Sequence, residues 1–595
     1  MRKIKKKLAS YASVLKRINS FILDRTTRRL LFWIVPVALL IEQAWVMDNY
    51  LLGEIVNRLS GQKSLFTQTT LVWAAISLVG WYALVAVGRY LLGQYGLSFQ
   101  QYLTNKTESQ YWRAIAKLEL QDRENPDIQN AISDAQRNYN AVTEIFGNQM
   151  TIFKSVVTLC AAMLVLGSLE WWYTIIIILM VIPGIYLSRI RRIKNYYQQK
   201  SRNEIQRYKY ELSSQIGTKE TILHGATDYF LNLYQSLRSH FLGADTKHRK
   251  KLNRLQLYGN LIRYSLMGIL YYAVFLKIEG GFIQVGSFFL VFSSIKRLES
   301  NLESILDEFV NLEQKVRESN DFFLIIDMKP SIPLKETPVA IDLTKAPSIE
   351  FDNVWFKYPG AEESVLKGVS FKIESGERIG LIGENGSGKT TISLLMLRFY
   401  DPNKGSIRIN GIDLRLIDRN CLFSITGAVF QDFELFETRI SETIRVSAVD
   451  KKFDIKDIKS AAQKVDIDTF IQGLPSGYNH KIGRMYEGGI KLSGGQKQKV
   501  AIAGLLYRDP KLVILDELTS ALSPTAEQQI IDQYEKVVEG KTCLVICHRY
   551  KSLQFVHRIM VIDEGVIVEN GTHKELISSN GMYSKLYTAA QLKVS

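Results

Sequence analysis

Residues 383 to 390 read Gly383-Glu384-Asn385-Gly386-Ser387-Gly388-Lys389-Thr390, and this stretch decides how the C-terminal half of the chain folds. It follows an apolar, strand-like run that ends at Ile382 and leads into a helical pattern that extends to Tyr400. In this setting the spacing GxxxxGK[ST] is typical of a loop that binds phosphate groups through its backbone N–H groups and the next helix N-terminus. We therefore predict a nucleotide site, with Lys389 on the terminal phosphates and Thr390 as a ligand of Mg²⁺.

A second strand-like run, Leu512-Val513-Ile514-Leu515, ends in two carboxylates, Asp516 and Glu517. A site for phosphoryl transfer needs a carboxylate near the metal ion and a group that orients the attacking water. We therefore assign Asp516 to the metal and Glu517 to the water. Together with the loop 383–390, these residues supply both halves of a site for nucleotide hydrolysis.

The first half of the chain contains apolar stretches that match a lipid bilayer, which a helix crosses in roughly 20 residues. Charged residues within or beside these stretches, such as Glu42, Asp48 and Arg263, have more than one interpretation. They line a polar passage, or they pair with one another, or their helices protrude into water beyond the bilayer, and the sequence leaves these readings open. We predict six membrane helices, with bounds near Leu30 to Tyr50, Thr70 to Gly88, Ser155 to Leu169, Trp171 to Ser188, Leu255 to Leu276 and Phe282 to Ile295.

The formal net charge of +16 is concentrated at the N-terminus, because residues 1–29 contain ten Lys and Arg against one Asp. Basic residues beside a membrane helix mark its cytoplasmic side and bind the anionic lipid surface. The membrane surface explains this charge better than a nucleic acid does, so we predict no nucleic-acid partner. The N-terminus, the long charged segments 89–147 and 189–254, and the C-terminal half are then all cytoplasmic.

The cysteines and histidines exclude two other classes of protein. Cys160, Cys421, Cys543 and Cys547 form no CxxC pair, and the seven histidines are scattered singly. This pattern argues against a disulfide framework and against a structural zinc site. We expect Cys543 and Cys547, which share one strand-like run, to pack in the core.

Between the two halves of the nucleotide site lies Leu492-Ser493-Gly494-Gly495-Gln496. The order of these motifs resembles that of the ATP-binding cassette (ABC) transporters, and six spans ahead of one cassette resemble the exporter type. The resemblance covers nearly the whole chain. It implies a multidomain fold, in which an all-α transmembrane domain of six helices precedes an α/β P-loop domain. A helical subdomain of the P-loop domain would carry the signature motif, Ser493 to Gln496.

Charge, hydropathy and the placement of prolines divide the chain into four parts. Pro330, Pro333 and Pro338 mark a linker between the two halves. The expected parts are a basic interfacial segment at 1–29, a transmembrane domain at 30–328, a linker at 329–348 and an ATP-binding cassette at 349–595.

The resemblance also implies a set of site residues. Tyr358 resembles the aromatic residue that stacks on adenine, Gln431 the glutamine that links nucleotide and Mg²⁺ to the membrane domain, and His548 the histidine that holds the γ-phosphate. The implied catalytic residues are Glu517, His548 and Gln431, and the implied metal ligands are Thr390, Gln431 and Asp516. The implied ATP-binding residues are Tyr358, Gly383, Asn385, Gly386, Ser387, Gly388, Lys389, Thr390, Thr391, Ser493, Gly494, Gly495 and Gln496.

Two positions depart from the family pattern. Leu518 stands where a proline usually follows the glutamate, and Ser523 stands where an aspartate usually ends the next segment. The second change touches a loop that contacts the other cassette in this family, so it bears on communication between two ATP sites. Because Glu517 and His548 are both present, we predict a cassette that hydrolyses ATP with Mg²⁺.

In this family the signature motif of one cassette completes the ATP site built on the phosphate loop of another. The chain has one cassette and no internal repeat, so the resemblance implies a dimer, either of two copies of this chain or with a different half-transporter. ATP binding then closes the pair, and hydrolysis reopens it. We expect short helices at 125–134 and 210–220 to couple this motion to the membrane domain.

The exported substrate rests on a looser resemblance. The stretches 120–142, 210–234, 429–444 and 486–499 are similar to those of lantibiotic and other bacterial ribosomal-peptide exporters. We therefore predict an ATP-driven exporter that moves such a peptide across the bacterial plasma membrane by alternating access, with peptide-modifying enzymes as further partners. The cysteine-peptidase domain that some peptide exporters carry has no room in residues 1–29.

Three other functions are weighed against this prediction. A multidrug or lipid exporter has the same fold, with a cavity expected to be more aromatic and less charged. A regulatory cassette protein would bind ATP without moving cargo, but Glu517 and His548 argue against it. An importer of this superfamily mostly keeps its membrane and cassette halves on separate chains.

Overall fold

The computed structural model describes residues 13–62, 71–168, 170–176, 178–180, 182–184, 186, 218–332, 339, 344–431, 433–483, 486–516, 524–547 and 553–592. The chain divides into two compact units, each discontinuous in sequence. Unit 1 comprises Met1–Lys117 and Gln129–Met328, and unit 2 comprises Leu118–Ile128 and Lys329–Ser595. The short segment 118–128, which lies within the expected transmembrane domain, therefore folds with the C-terminal unit.

The described chain up to residue 328 is built from helices. A helix at 13–22 comes first. The helices that follow are α1 (Arg25–Glu42), α2 (Ala44–Leu59), α3 (Leu71–Ala116), α4 (Leu120–Glu124), α5 (Pro126–Asn138), α6 (Ala141–Gly167), α7 (Thr218–Leu223), α8 (Thr227–Glu279) and α9 (Ser287–Asp327).

Within the described residues, four helical stretches are long and apolar enough to cross a membrane. They are Thr27–Leu59, Ala75–Ala116, Ala141–Gly167 and Lys250–Glu279, and they contain most of the first, second, third and fifth predicted spans. A shorter apolar helix, Trp171–Gly184, corresponds to the fourth, whose C-terminal residues lie outside the described part.

The sixth predicted span has the wrong bounds. Residues 281–286 form a turn, in which Gly281 has a φ of +73°, and α9 begins only at Ser287. From there α9 continues to Asp327, well beyond the apolar residues that predicted a span. The apolar run therefore covers a turn and the start of one long helix of mixed polarity.

Charged side chains of the membrane helices have partners on other helices. The Trp81 indole N–H donates to the Asp48 carboxylate at 2.6 Å. Arg263 of α8 pairs with Glu299 of α9, with 3.4 Å between Nε and Oε1. Arg263 therefore pairs with another charged residue, whereas Asp48 accepts a hydrogen bond from a neutral indole; partners of both kinds are expected for charges that are poorly solvated in a bilayer.

The end of α2 and the start of α9 touch backbone to backbone. A Cβ atom on Gly286 would lie 1.9 Å from the carbonyl oxygen of Gly53, so a larger residue does not fit there. The buried Asn57 side chain accepts a hydrogen bond from the Gly286 N–H at 2.6 Å and donates to Gln284 Oε1 at 2.9 Å. These bonds satisfy polar groups that would be costly to leave unpaired away from water.

Unit 2 contains two β-sheets. The first is antiparallel, with the strand order β2-β1-β4-β5, and the second has the order β10-β9-β3-β8-β7-β6. In the second sheet β10 is antiparallel to β9, and the other neighbouring pairs are parallel. The strands are β1 (Ile349–Phe356), β2 (Leu366–Ile373), β3 (Arg378–Ile382), β4 (Lys404–Ile409), β5 (Ile412–Asp413), β6 (Thr426–Val429), β7 (Leu512–Asp516), β8 (Thr542–Ile546), β9 (Arg558–Asp563) and β10 (Val566–Gly571).

The central parallel strands are apolar on both faces because both faces are covered. Leu512 and Ile514 of β7 pack in the core formed with the first sheet and α10, whereas Val513 and Leu515 pack against α12, α13, α15 and α16. The helices of unit 2 after residue 328 are α10 (Lys389–Met396), α11 (Arg419–Ile425), α12 (Ile440–Arg445), α13 (Ile455–Lys464), α14 (Asp468–Gln472), α15 (Gly494–Arg508), α16 (Pro524–Val538), α17 (His573–Ser578) and α18 (Met582–Leu592).

Candidate nucleotide site

The parallel strands of the second sheet end at one edge, and the predicted site residues follow them there. Strand β3 leads into the loop 383–390, β7 ends at Asp516, and Gln431 lies two residues after β6. Strand β8 lies between β3 and β7, and its register pairs Ile546 with Asp516. Ligands of open α/β sheets bind outside the carboxyl ends of such strands. The topology therefore brings separate motifs of the sequence to the edge where a ligand is expected.

The backbone of the loop 383–390 favours glycine at three positions, Gly383, Gly386 and Gly388. Gly388, the N-cap of α10, has a φ of +107°, which residues with a side chain rarely adopt. A Cβ atom on Gly383 would come within 2.2 Å of the Ile562 carbonyl oxygen. The chain thus turns sharply into α10, and the free N–H groups of the first helical turn lie at the loop.

Lys389 is buried and bends back over the loop from the first turn of α10. Its Nζ donates to the carbonyl oxygens of Gly383 at 2.9 Å and Glu384 at 2.8 Å. The buried Ser387 Oγ has no hydrogen-bond partner among the described residues. A buried hydroxyl is costly to leave unpaired, unless a ligand supplies its partner. The loop therefore fits a nucleotide whose phosphate oxygens bind Ser387 and the Lys389 ammonium.

Two of the three predicted metal ligands are in contact. The Thr390 hydroxyl donates to Asp516 Oδ2 at 3.2 Å, and Asp516 is 2% exposed at the end of β7. Hydroxyl and carboxylate oxygens are the hard donors that Mg²⁺ prefers, so this pair fits the predicted ion. Gln431, the third predicted ligand, is exposed in the turn after β6.

Tyr358 follows β1, and its side chain is fixed at the ring and at the hydroxyl. The hydroxyl lies 3.0 Å from Thr391 Oγ1 of α10. The ring packs edge-on against the rings of Phe356 and Tyr400, with centroid separations of 5.0 and 5.4 Å. Burial raises the pKa of the Tyr358 hydroxyl, so it stays protonated. The predicted adenine-stacking ring is thus attached to the helix that follows the phosphate loop.

The signature motif, Ser493 to Gln496, forms the N-terminus of α15. Ser493 Oγ accepts a hydrogen bond from the Gln496 N–H at 3.3 Å, and the Ser493 N–H donates to Gln496 Oε1 at 2.9 Å. This reciprocal capping fixes the first turn of α15. Ser493 and Gly494 are exposed in the single chain, so a helix N-terminus suited to an anion faces solvent.

Several predicted residues cannot be placed. Glu517 and His548 lie outside the described residues, as do Leu518 and Ser523. Glu517 directly follows β7, and His548 comes two residues after β8, the neighbouring strand. Cys543 and Cys547 are buried as expected, but Cys547 lies beyond the end of β8.

Sequence reasoning missed the acidic segment 118–128, which contacts the cassette. Three of its carboxylates bind side chains elsewhere in unit 2: Glu119 binds Arg419 and Glu124 binds Tyr400 in the cassette, and Asp122 binds Ser331 in the stretch that leads into it. The contact therefore begins before the expected coupling helix at 125–134. The acidic side chains ahead of Pro126 were the available signal. The second expected coupling helix, at 210–220, lies outside the described residues except for the start of α7.

A cavity of about 440 Å³ lies in the cassette beside β6. Arg508 closes part of it, and its guanidinium donates to the carbonyl oxygens of Ser447 and Phe423. Apolar walls of this kind suit an apolar side chain from another segment. Five phenylalanines line the cavity: Phe399, Phe423, Phe430, Phe433 and Phe436.

Comparisons with known proteins identify the domain that contains this site. Residues 366–520 match the ABC transporter family. The chain is 26% identical to the subtilin transport ATP-binding protein of Bacillus subtilis over 91% of this chain and 88% of that protein. It is 36% identical to an ATP-dependent lipid A-core flippase of Alkalilimnicola ehrlichii over 48% of this chain. That match spans 47% of the flippase, about half of its length.

A solved structure shares the fold over almost the whole chain. The bacterial Atm1-family ABC exporter with ATP bound has a TM-score of 0.77 and 24% sequence identity, covering 94% of this chain and 100% of that one. The predicted fold class, a helical transmembrane domain followed by an ABC nucleotide-binding domain, is confirmed. The chain therefore has the fold of an ABC exporter half-transporter, with helices that fit a multi-pass membrane protein and an ABC transporter domain that supports ATP hydrolysis coupled to transport.

Proposed function

We propose that the chain exports a ribosomally made, modified peptide of the lantibiotic type from the cytoplasm across a bacterial plasma membrane. The observation that carries this proposal is the likeness to a subtilin transport protein along 91% of the chain. A match of that extent includes most of the membrane unit, where a substrate path is built. The likeness to the lipid A-core flippase covers 48% of the chain and bears less on the substrate.

In the proposed mechanism the loop 383–390 holds the phosphates of ATP. Lys389 exchanges its carbonyl partners for phosphate oxygens, and Ser387 gains the partner that it lacks. Thr390, Asp516 and Gln431 would hold Mg²⁺, which when bound would supply positive charge at the terminal phosphates. The Tyr358 ring stacks on the adenine.

Glu517 is the proposed base that polarises the attacking water, with His548 at the γ-phosphate. Their places in the sequence, directly after β7 and two residues after β8, support this role because those strands are neighbours and end at the phosphate edge. Glu517→Gln keeps the size of the side chain and removes the base. We expect it to bind ATP normally and to lose on the order of 10² in turnover.

The proposed functional unit is a dimer of two copies of this chain. Its support is the exposed N-terminus of α15, which in the single chain faces solvent although it suits an anion. In the dimer, Ser493 to Gln496 of one copy cover the phosphates held by Lys389 of the other. ATP binding between the two cassettes draws them together, and loss of the γ-phosphate weakens that contact.

The aromatic cavity beside β6 is the proposed receptor for a cytoplasmic segment of the second copy. Ile222 and Leu223, at the end of α7, are 70% and 79% exposed and supply apolar side chains for it. In a background without Cys160 and Cys421, a bifunctional thiol reagent should join Leu223→Cys to Phe433→Cys as a covalent dimer. The matched pair Leu223→Cys and Phe453→Cys, with an exposed phenylalanine outside the cavity lining, should remain monomeric. Equal cross-linking of both pairs would contradict the docking.

ATP hydrolysis by the purified chain in lipid nanodiscs tests the substrate. We would titrate leader-bearing precursor peptides and, separately, lipid A and amphiphilic drugs. Stimulation by the peptides at micromolar concentration, absent in Glu517→Gln, is the expected result. Stimulation by lipid A or drugs alone would contradict the peptide exporter and favour the second candidate function, a lipid or multidrug exporter. No hydrolysis under any condition would contradict a dimer of identical copies and point to a different partner subunit.

A further inference from the structure

Tyr400 lies where the segment 118–128 meets the nucleotide site. Its side chain is 1% exposed, and its hydroxyl donates to the Glu124 carboxylate. Its ring packs edge-on against Tyr358 at 5.4 Å between centroids. The two ends of the Tyr400 side chain thus contact the segment and the ring that is proposed to stack on adenine.

The other two acidic contacts of the segment lead elsewhere. Arg419, the partner of Glu119, donates to the Arg398 carbonyl oxygen at 3.3 Å and packs on the Phe423 ring. Ser331, the partner of Asp122, belongs to the stretch that leads into the cassette. Among these three contacts, the bond between Glu124 and Tyr400 is therefore the one made to a residue that packs on Tyr358.

We infer that Tyr400 is a positioning residue through which the docked segment 118–128 sets the orientation of the Tyr358 ring, and so the affinity of the cassette for the base of ATP. This inference rests on the proposed role of Tyr358. The Tyr358 hydroxyl is fixed at Thr391, so the remaining freedom of the ring is limited by its neighbours Tyr400 and Phe356. Without the bond to Glu124, the Tyr400 ring is held by packing alone. The Tyr358 ring, on which the base is proposed to stack, is then held less firmly in its orientation.

The protonation state of Tyr400 allows its hydrogen bond to Glu124 to persist at physiological pH. Burial and the neighbouring Glu124 carboxylate raise the pKa of the Tyr400 hydroxyl. The hydroxyl therefore remains a donor throughout the physiological pH range. Because segment 118–128 is continuous with α3 and α5, a displacement of those helices reaches the base site through one hydrogen bond and one ring contact.

The test compares a nucleotide with a ligand that lacks the base. In the full chain in nanodiscs, Tyr400→Phe keeps the ring and removes the bond to Glu124. Since a hydrogen bond to a charged acceptor is one of the stronger kinds, we expect the KM for ATP to rise about three- to tenfold with little change in kcat. The affinity for inorganic tripolyphosphate should stay unchanged. Glu124→Leu, which removes the acceptor, should have a similar effect, and the double variant should be no worse than either single one.

Two variants serve as controls. Tyr478 is also buried and donates to a carboxylate, Asp468 at 2.6 Å, but in the helical subdomain, so Tyr478→Phe should leave the KM unchanged. Glu119→Gln weakens the pair with Arg419 while the bond between Glu124 and Tyr400 remains, so it should also leave the KM unchanged.

The outcomes separate this inference from the proposed function. If Tyr358→Ala raises the KM for ATP and Tyr400→Phe does not, the inference is overturned. The proposed stacking of Tyr358 on adenine is then retained. If Tyr358→Ala has no effect, the proposed role of Tyr358 fails, and the inference fails with it. Equal losses for ATP and tripolyphosphate in Tyr400→Phe would mean general disruption of the cassette and would also overturn the inference.

Discussion

The cassette and the membrane unit differ in how far apart in sequence their paired polar groups lie. In the cassette, Lys389 binds carbonyl groups five and six residues away, within one loop. In unit 1, the Gln43 side chain donates to Thr158, 115 residues away. Chemistry held in a local motif can be recognised from sequence, whereas polar pairs between membrane helices depend on which helices are neighbours. The ATP site was accordingly easier to predict than the substrate path.

The largest expected effect comes from the local motif. Lys389→Ala removes the cation expected at the terminal phosphates, and we expect ATP turnover to fall by at least about 10². The matched control is Lys541→Met. Lys541 is also buried and pairs with Asp509 at 2.8 Å, but it lies at the amino end of β8, away from the phosphate loop. Hydrolysis rates of purified protein would measure both, and a Lys389→Ala variant with wild-type turnover would contradict the site.

An intermediate effect should distinguish two capping boxes of the same kind. Ser493 caps α15 and Thr572 caps α17, each with a reciprocal side-chain bond. Ser493→Ala should lower ATP turnover about tenfold or more, because it also removes a contact to the phosphates bound by the other copy. Thr572→Ala should cost only about 1 kcal/mol of stability and leave turnover within twofold. If both variants lose only stability, Ser493 is a structural cap and no more.

The smallest expected effect concerns a paired charge in the membrane unit. Arg263→Met leaves Glu299, 18% exposed, without its cation, and should lower stability by about 2 kcal/mol. Arg137→Met breaks the exposed pair with Asp134, which should cost within about 0.5 kcal/mol. Thermal unfolding in nanodiscs measures both. A stable Arg263→Met variant that no longer responds to peptide would indicate that Arg263 lines a polar passage. It would contradict the interpretation that Arg263 serves only as the ion-pair partner of Glu299.

Much of the cassette was predictable because its constraints are local. The spacing of Gly383, Gly388, Lys389 and Thr390 predicts a strand, a turn and a helix, and the structure has β3, the loop and α10 in that order. Asp516 was assigned to the metal from two acidic residues after an apolar strand, and its contact with Thr390 depends on the strand order that the motif implies.

What escaped prediction depends on contacts between distant parts of the chain. Glu124 and Tyr400 are 276 residues apart, and neither belongs to a motif that indicates the other. The membrane span expected at Phe282 to Ile295 was apolar enough in composition, but the turn at 281–286 ends one helix there and α9 begins another. Hydropathy reports which residues avoid water and does not report where a helix is interrupted.

The contact between Gly53 and Gly286 restricts how two helices of the membrane unit can move relative to each other. With no side chain between the two backbones, and with Asn57 bonded across the contact, the C-terminal half of α2 and the N-terminal end of α9 have little room to slide. A motion that separated them would break the bond from the Gly286 N–H to Asn57 and leave buried polar groups without partners. A conformational change that keeps this contact therefore moves the two helix ends as one body.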